Sequence, residues 1–235
     1  MCMNQSSPGL LRQSTYESIK SLIITGQIAP GSRVTETDLS DRLGVSRTPI
    51  REALTRLERD GLVIQRAKQG FAVADFDLAK AEDVFALRVE LECFAVRLAC
   101  RNMDNTGRAR LHQMIADCDA LEATPERSLH HNLLELQIGL RLHHVIAELS
   151  GNALLADTLN GLLDQCQIYI WMDLTRFDHW NEARAEHRAL VDGICAGDAE
   201  TAQTIVRQHI EDTARNVAAL LMRRKDIWAA TLPRI

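Results

Sequence analysis

The chain has 235 residues, 27 of them Lys or Arg and 32 Asp or Glu, for a net charge of −5. That length suits one large or two small domains, and neither a signal-peptide pattern nor an apolar run long enough to span a bilayer is visible, so no membrane role is expected. The six cysteines include no C-x-x-C pair, and Cys93 and Cys100 lie about two helical turns apart, so the cysteines read as small apolar residues in a reducing cytoplasm, not as a disulfide framework.

Met1 to Gly9 reads as a polar tail. Tyr16, Ile19, Leu22 and Ile23 then recur at helical spacing and predict an amphipathic helix that ends at Gly26. Ala29-Pro30-Gly31 is a turn. Thr35-Glu36-Thr37-Asp38 has the form of a capping box and opens a short helix through Leu39 and Leu43. Gly44 tolerates the left-handed conformation that closes that helix. Ser46 is placed to cap the next one, and Pro49 fits only its first turn. Ile50, Ala53, Leu54 and Leu57 give this helix an inward face. Arg47, Thr48 and Arg51 project from its N-terminal end, Arg51 one turn beyond Arg47. Gly61 stops the helix. Leu62-Val63-Ile64 and Phe71-Ala72-Val73 read as strands around the basic hairpin Arg66-Ala67-Lys68-Gln69-Gly70.

These elements add up to a winged helix-turn-helix over residues 8–74. In such a fold the first turns of the second helix touch base edges, and arginines also grip phosphates. Ser46, Arg47, Thr48 and Arg51 are the expected DNA contacts on the helix, with Arg66, Lys68 and Gly70 in the wing, where Gly permits close approach to the backbone or minor groove. Charge supports the division. Residues 8–74 carry a surplus of three positive charges, leaving −8 for the rest.

From Leu78 onward the pattern is helical throughout, with no strand-like alternation and no Gly-rich phosphate loop. Val84, Leu87, Leu91, Phe94, Ala95 and Leu98 suggest a core stripe in the first helix. Further helices are expected over 105–121, 125–149, 152–174, 180–196 and 198–222. An antiparallel all-α bundle over residues 78–225 is the natural fold, a sensing domain separate from the DNA reader. The linker at Ala74 to Asp77 is short, so coupled domains are expected.

Residues 19–74 resemble the DNA-binding domain of the GntR family of bacterial transcription regulators. The resemblance rests on Gly26-Gln27-Ile28-Ala29-Pro30-Gly31-Ser32-Arg33-Val34, on Val45 to Leu54, and on Leu57-Glu58-Arg59-Asp60-Gly61-Leu62-Val63. The remainder resembles the FadR-type branch with an FCD effector domain. There the carrying motifs are Leu87 to Glu92, Ser150-Gly151-Asn152, and Ala185-Glu186-His187-Arg188-Ala189-Leu190 followed by Ala196-Gly197-Asp198.

The chemistry of the bundle centres on histidines. His187 lies ten residues before Gly197 and His209 eleven after Asp198, so antiparallel helices meeting at that turn bring them to one level. His143 lies on another helix, and three converging imidazoles make a transition-metal site. The resemblance implies a divalent metal, Zn, Ni or Mn, held by three histidines and an aspartate four residues before the first. His143 fits the first by its distance to Ser150-Gly151-Asn152, yet Gly139 stands where the carboxylate is expected, and shifting to His144 puts Leu140 there. Two readings stay open: a three-histidine metal site, or a metal-free pocket in which the histidines meet the effector directly. Arg88 is implied by the resemblance to face the effector cavity and to grip a carboxylate; otherwise it forms a helix pair with Glu92. His112, His130, His131 and His179 are expected at the surface, and Tyr169 and Trp171 in the core.

The expected function is a ligand-responsive transcription regulator, a homodimer on an inverted-repeat DNA operator. The resemblance implies a repressor released by a small organic acid or sugar acid. The alternative is a metal-dependent helical-bundle enzyme using the three histidines. No motif places an acidic general base beside them, and an enzyme has no use for the winged domain.

Overall fold

The structure, a computed structural model, describes residues 8–66, 70–75, 77–123 and 128–231. The chain divides into two compact units, Met1–Phe76 and Asp77–Ile235.

In the first unit α1 (Pro8–Ile24), α2 (Glu36–Leu43) and α3 (Arg47–Arg59) accompany β1 (Arg33–Val34), β2 (Val63–Arg66) and β3 (Gly70–Val73). Helix α1 already begins at Pro8, so Pro8 and Gly9 belong to it and not to a tail; a proline lacks only an N–H that a first helical residue leaves unused. The Thr35 hydroxyl accepts the Asp38 N–H at 3.1 Å, as a capping box requires. Gly44 closes α2 at φ +67°, its N–H donating to the Ser40 carbonyl. Ser46 occupies the N-cap position of α3 with extended backbone, but its side chain makes no capping bond, contrary to expectation. Ile50, Leu54 and Leu57 are completely buried with Ile19 and Ile23 of α1, and each such side chain contributes about 1.5–3 kcal/mol. The Tyr16 hydroxyl donates to Asp60 at 2.6 Å, and the Arg56 guanidinium lies 3.8 Å from the Tyr16 ring centroid, which fastens α1 to the end of α3.

The sheet runs β1-β3-β2, antiparallel throughout, with Arg33 opposite Ala72 and Arg66 opposite Gly70. The hairpin lies where expected, but its strands reach further toward the tip: Arg66 and Gly70, expected in the connection, pair with each other, and Leu62 precedes β2. Strand β1 is two residues long, too short to show any alternation in sequence.

The second unit is all helical: α4 (Leu78–Asn102), α5 (Asn105–Glu122), α6 (Leu129–Leu149), α7 (Ala153–Phe177), α8 (Trp180–Ala196) and α9 (Ala199–Thr231). Among the described residues the protein thus holds nine helices and one small sheet, a winged helix-turn-helix and a helical bundle. None of these helices is long and apolar enough to cross a membrane.

The buried face of α4 is rotated from the expected stripe. It carries Ala81, Phe85, Arg88, Val89, Glu92, Cys93, Val96 and Ala99 beside the anticipated Val84 and Ala95. Leu87 is 48% exposed, and Leu91, Phe94 and Leu98 are only half-buried. An apolar pattern misplaces this face because two of its inward positions are charged.

Two turns fix the levels of the helices that follow. At Ser150-Gly151-Asn152, Gly151 adopts φ +69°, and a Cβ there would meet Asn102 Nδ2 at 3.0 Å. That amide donates to the Ser150 carbonyl at 2.7 Å, and Asn152 caps α7 through the Leu155 N–H. At Gly197, φ is +75°. Nearby, a Cβ on Gly193 would lie 3.3 Å from the Ala202 Cβ, so α8 and α9 approach closely through small residues.

Candidate DNA-reading face and buried histidine site

Ser46, Arg47 and Thr48 are exposed at the start of α3, and Arg51 is exposed one turn on. The sequence did not suggest that Arg51 is already held. Its Nε and Nη2 donate to both oxygens of Glu36 at 2.7 and 2.9 Å. Such a two-point clamp fixes the plane of a guanidinium. Glu36 sits in the first turn of α2, a position that sequence alone explains fully as helix capping. Arg66 ends β2 with its guanidinium 4.0 Å from Asp75, and Gly70 begins β3 at φ +81°. Lys68, expected at the wing tip, lies outside the described residues.

In the bundle, the three histidines converge. One ligand atom from each of His143 on α6, His187 on α8 and His209 on α9 lies within 4.8 Å of the others. Ring centroids are 5.3 Å apart for His143–His187, 5.4 Å for His143–His209 and 4.9 Å for His187–His209. His144 is not part of this cluster; its Nδ1 faces Asn160 Oδ1 on α7 at 2.5 Å.

Carboxylates back two of the rings. Glu92 Oε2 lies 2.5 Å from His143 Nδ1, and Glu186 Oε2 lies 2.6 Å from His209 Nδ1. Donation of Nδ1–H to a carboxylate leaves the Nε2 lone pair for a metal, the usual arrangement of metal-bound histidines. His187 Nε2 is buried with no hydrogen-bond partner among the described residues. Burial pushes the His143 imidazole down to about 4 despite Glu92. Burial, then the neighbouring His209 and His143, hold His187 well below the ordinary imidazole range. Both rings are therefore neutral near pH 7, the form that ligates. The donor set fits a borderline divalent ion.

Arg88 is 1% exposed and donates from Nε to Glu92 Oε1 at 2.6 Å. The Arg88–Glu92 pair thus exists, but as a buried pair and not a surface one. Burial disfavours the Glu92 charge, but Arg88 and His143 outweigh it and hold the carboxyl well below the usual carboxylate range. Arg88 Nη2 retains no partner among the described residues.

Arg88 and the three histidines line one cavity. Gly139 lies in its wall, and a Cβ there would sit 3.2 Å from His187 Cε1. The position of the expected carboxylate therefore does face the cluster. Tyr169 and Trp171 are buried but do not line the cavity; Trp180, Ile170 and Leu174 do. His112 and His130 are exposed and His179 is half-buried. His131 is not at the surface: it is 5% exposed, its Nε2 3.7 Å from Glu135. Its apparent isolation in sequence hid the partner one turn on. Sequence reasoning also missed Glu92 and Glu186 as partners of the histidines, and Glu135 and Arg184 in the cavity wall. Each is a charged helix residue whose solvated-surface reading is the ordinary one.

Known protein families match both units. Residues 11–73 match the bacterial regulatory proteins of the gntR family, and residues 83–212 match the FCD domain. The HTH-type transcriptional regulator YdhC of Bacillus subtilis is 28% identical over 218 residues, covering 90% of this chain and 92% of YdhC. The HTH-type transcriptional repressor RspR of Escherichia coli is 22% identical, covering 95% of each chain. The solved structure of E. coli McbR/YncC shares the fold with a TM-score of 0.69 at 22% identity, covering 91% of this chain and 98% of that one. The chain belongs to the GntR family of bacterial transcription regulators, with an FCD domain as its second part.

Proposed function

We propose that the protein is a metal-dependent, carboxylate-responsive repressor that binds an inverted-repeat operator as a homodimer. In this reading residues 8–74 form the DNA reader, with contacts from Ser46, Arg47, Thr48, Arg51, Arg66, Lys68 and Gly70. Residues 78–225 form the sensor and the dimer contact, and a bacterial DNA regulator of this kind works in the cytoplasm. The E. coli relative RspR is a transcriptional repressor.

The observation that carries the sensor reading is the convergence of His143, His187 and His209 on one cavity wall shared with Arg88. His143, His187 and His209 would hold a divalent ion there, which would supply Lewis acidity and positive charge. That charge matters, because each guanidinium lining the cavity is already matched by a carboxylate: Arg88 by Glu92, and Arg184 by Glu135. A carboxylate effector thus gains its main electrostatic attraction from the ion, with the spare Arg88 Nη2 as a directional contact. The enzyme alternative is weaker. Glu92 and Glu186 do stand beside the histidines, but both are engaged on Nδ1. Burial also pushes the Cys118 thiol of the cavity wall up to about 11, so it supplies no thiolate.

The test is operator release. A duplex selected from a random library by the full chain is bound, and small carboxylates are titrated in by anisotropy with zinc-loaded and chelator-stripped protein. Release by at least one acid from the loaded form only supports the proposal. Release that is equal in both forms overturns the metal's role.

A further inference from the structure

Helix α7, the start of α8 and helix α9 bring three further donor groups together: Asp173, His179 and Asn216. Asp173 is 3% exposed, and its Oδ1 has no hydrogen-bond partner among the described residues. His179 Nδ1 lies 3.4 Å from that oxygen and 3.3 Å from Asn216 Nδ2. One ring nitrogen cannot match both neighbours as they stand. As an acceptor from Asn216 it turns a lone pair toward the carboxylate, and as a donor to Asp173 it faces the amide N–H. Turning the amide over puts its oxygen beside His179, and the trio then offers two oxygens and one nitrogen as ligands. Donor atoms held at about 2.1 Å on adjacent positions of a divalent ion are about 3.0–3.4 Å apart, the spacing found here. A carboxylate oxygen buried without a partner is destabilising, and a cation removes that penalty.

We propose that Asp173, His179 and Asn216 form a second divalent-cation site, distinct from the three histidines and suited to a harder ion such as manganese. The surroundings have the right sign. His179 and Asn216 line a surface pocket whose other titratable or charged side chains are Glu182, Glu186, His209, Asp212 and Arg215. Arg215 is paired with Asp212, and Glu186 is engaged on His209. With Asp173 beside His179, four carboxylates surround the site against one guanidinium, which favours cations and repels anions. The carbonyl end of α7 favours a cation and the amide end of α8 opposes it, so the helix ends add little. Two oxygens and one nitrogen, with the pocket side left for water, suit manganese better than three imidazoles do. Zinc prefers the nitrogen-rich cluster, so a single equivalent leaves the second site for manganese. His209 lines both this pocket and the histidine cavity, so the two sites are neighbours. An ion here ties α7 to α8 and α9, the helices that carry His187 and His209. The inference depends neither on the effector nor on zinc at the histidines.

The experiment titrates manganese into full chain carrying one equivalent of zinc and follows the free aquo ion by electron paramagnetic resonance. The wild type is expected to take up one manganese ion per chain. Asp173→Asn removes the charged ligand with little change of shape, and His179→Ala removes the nitrogen. Each should weaken manganese binding at least about tenfold while zinc binds as in the wild type, which shows an intact bundle. His187→Ala, titrated without zinc, should still take up manganese, because it disturbs the other cluster. No manganese uptake by the wild type overturns the site. Uptake unchanged in either Asp173→Asn or His179→Ala does so too, as does its loss in His187→Ala, which would place the ion on the histidine cluster. Should the buried Asp173→Asn fail to fold, His179→Ala, at a half-buried helix start, decides alone.

Discussion

The two units carry their functional side chains in opposite ways. In the winged unit the candidate residues are exposed, close together in sequence and mounted on one helix start: Ser46, Arg47, Thr48 and Arg51 all lie within two turns of α3. In the helical unit they come from four helices, buried Arg88 from α4, His143 from α6 and His187 from α8 with half-buried His209 from α9. A surface that reads a large rigid polymer needs only local geometry. A pocket that encloses a small ligand needs long-range convergence, and it must keep charged groups paired inside a core. The first unit should therefore tolerate loss of its functional residues with little effect on folding, and the second should not.

The largest expected effect probes that contrast inside the bundle. Glu92→Gln removes the charge that offsets Arg88 and loosens the support of His143. Breaking a buried pair from one side costs about 3–5 kcal/mol, measurable by urea unfolding. A loss under 1 kcal/mol would mean that Glu92 does not anchor the site. Next, His187→Ala should weaken zinc binding by roughly a hundredfold or more, since it removes a direct ligand where even supporting partners are worth 10–100-fold. DNA binding without effector should stay within about twofold.

On the other side of the comparison, Arg47→Ala and Arg51→Ala should each weaken operator binding by about 1–3 kcal/mol with unfolding curves near wild type. Anisotropy at fixed salt checks this, and normal binding by both variants removes α3 as the reading helix. The smallest effect expected is a gain. Gly139→Asp places a carboxylate one turn before His143, directed at His187 across 3.2 Å from the Cβ. The ring must yield by a few tenths of an ångström, so zinc binding should tighten by only about tenfold. Weaker binding would mean that the cavity wall cannot give at that point.

Much of this was legible in the sequence, for physical reasons that differ between the units. Caps, turns and the hairpin of the winged unit are local, so Thr35, Gly44 and the strands around the wing read directly. The histidines were legible because the α8–α9 turn makes their spacing a measure of height. What pairs with them was not. Glu92 lies 51 residues from His143, and nothing in the α4 pattern separates a buried carboxylate from a solvated one. The same ambiguity shifted the expected stripe onto Leu87 and hid His131, Glu135 and Arg184. In the winged unit, Glu36 read as a capping acid although it also holds Arg51 across 15 residues.

The central claim is that the three histidines form one metal-binding sensor apart from the DNA-reading face. It is tested most directly by calorimetric titration of zinc into chelator-stripped full chain, wild type beside His187→Ala, with operator binding measured on the same samples. The account predicts one tightly held zinc ion per wild-type chain, its loss in the variant, and operator affinity that stays the same without effector. No zinc binding by the wild type, or undiminished binding by His187→Ala, would contradict it.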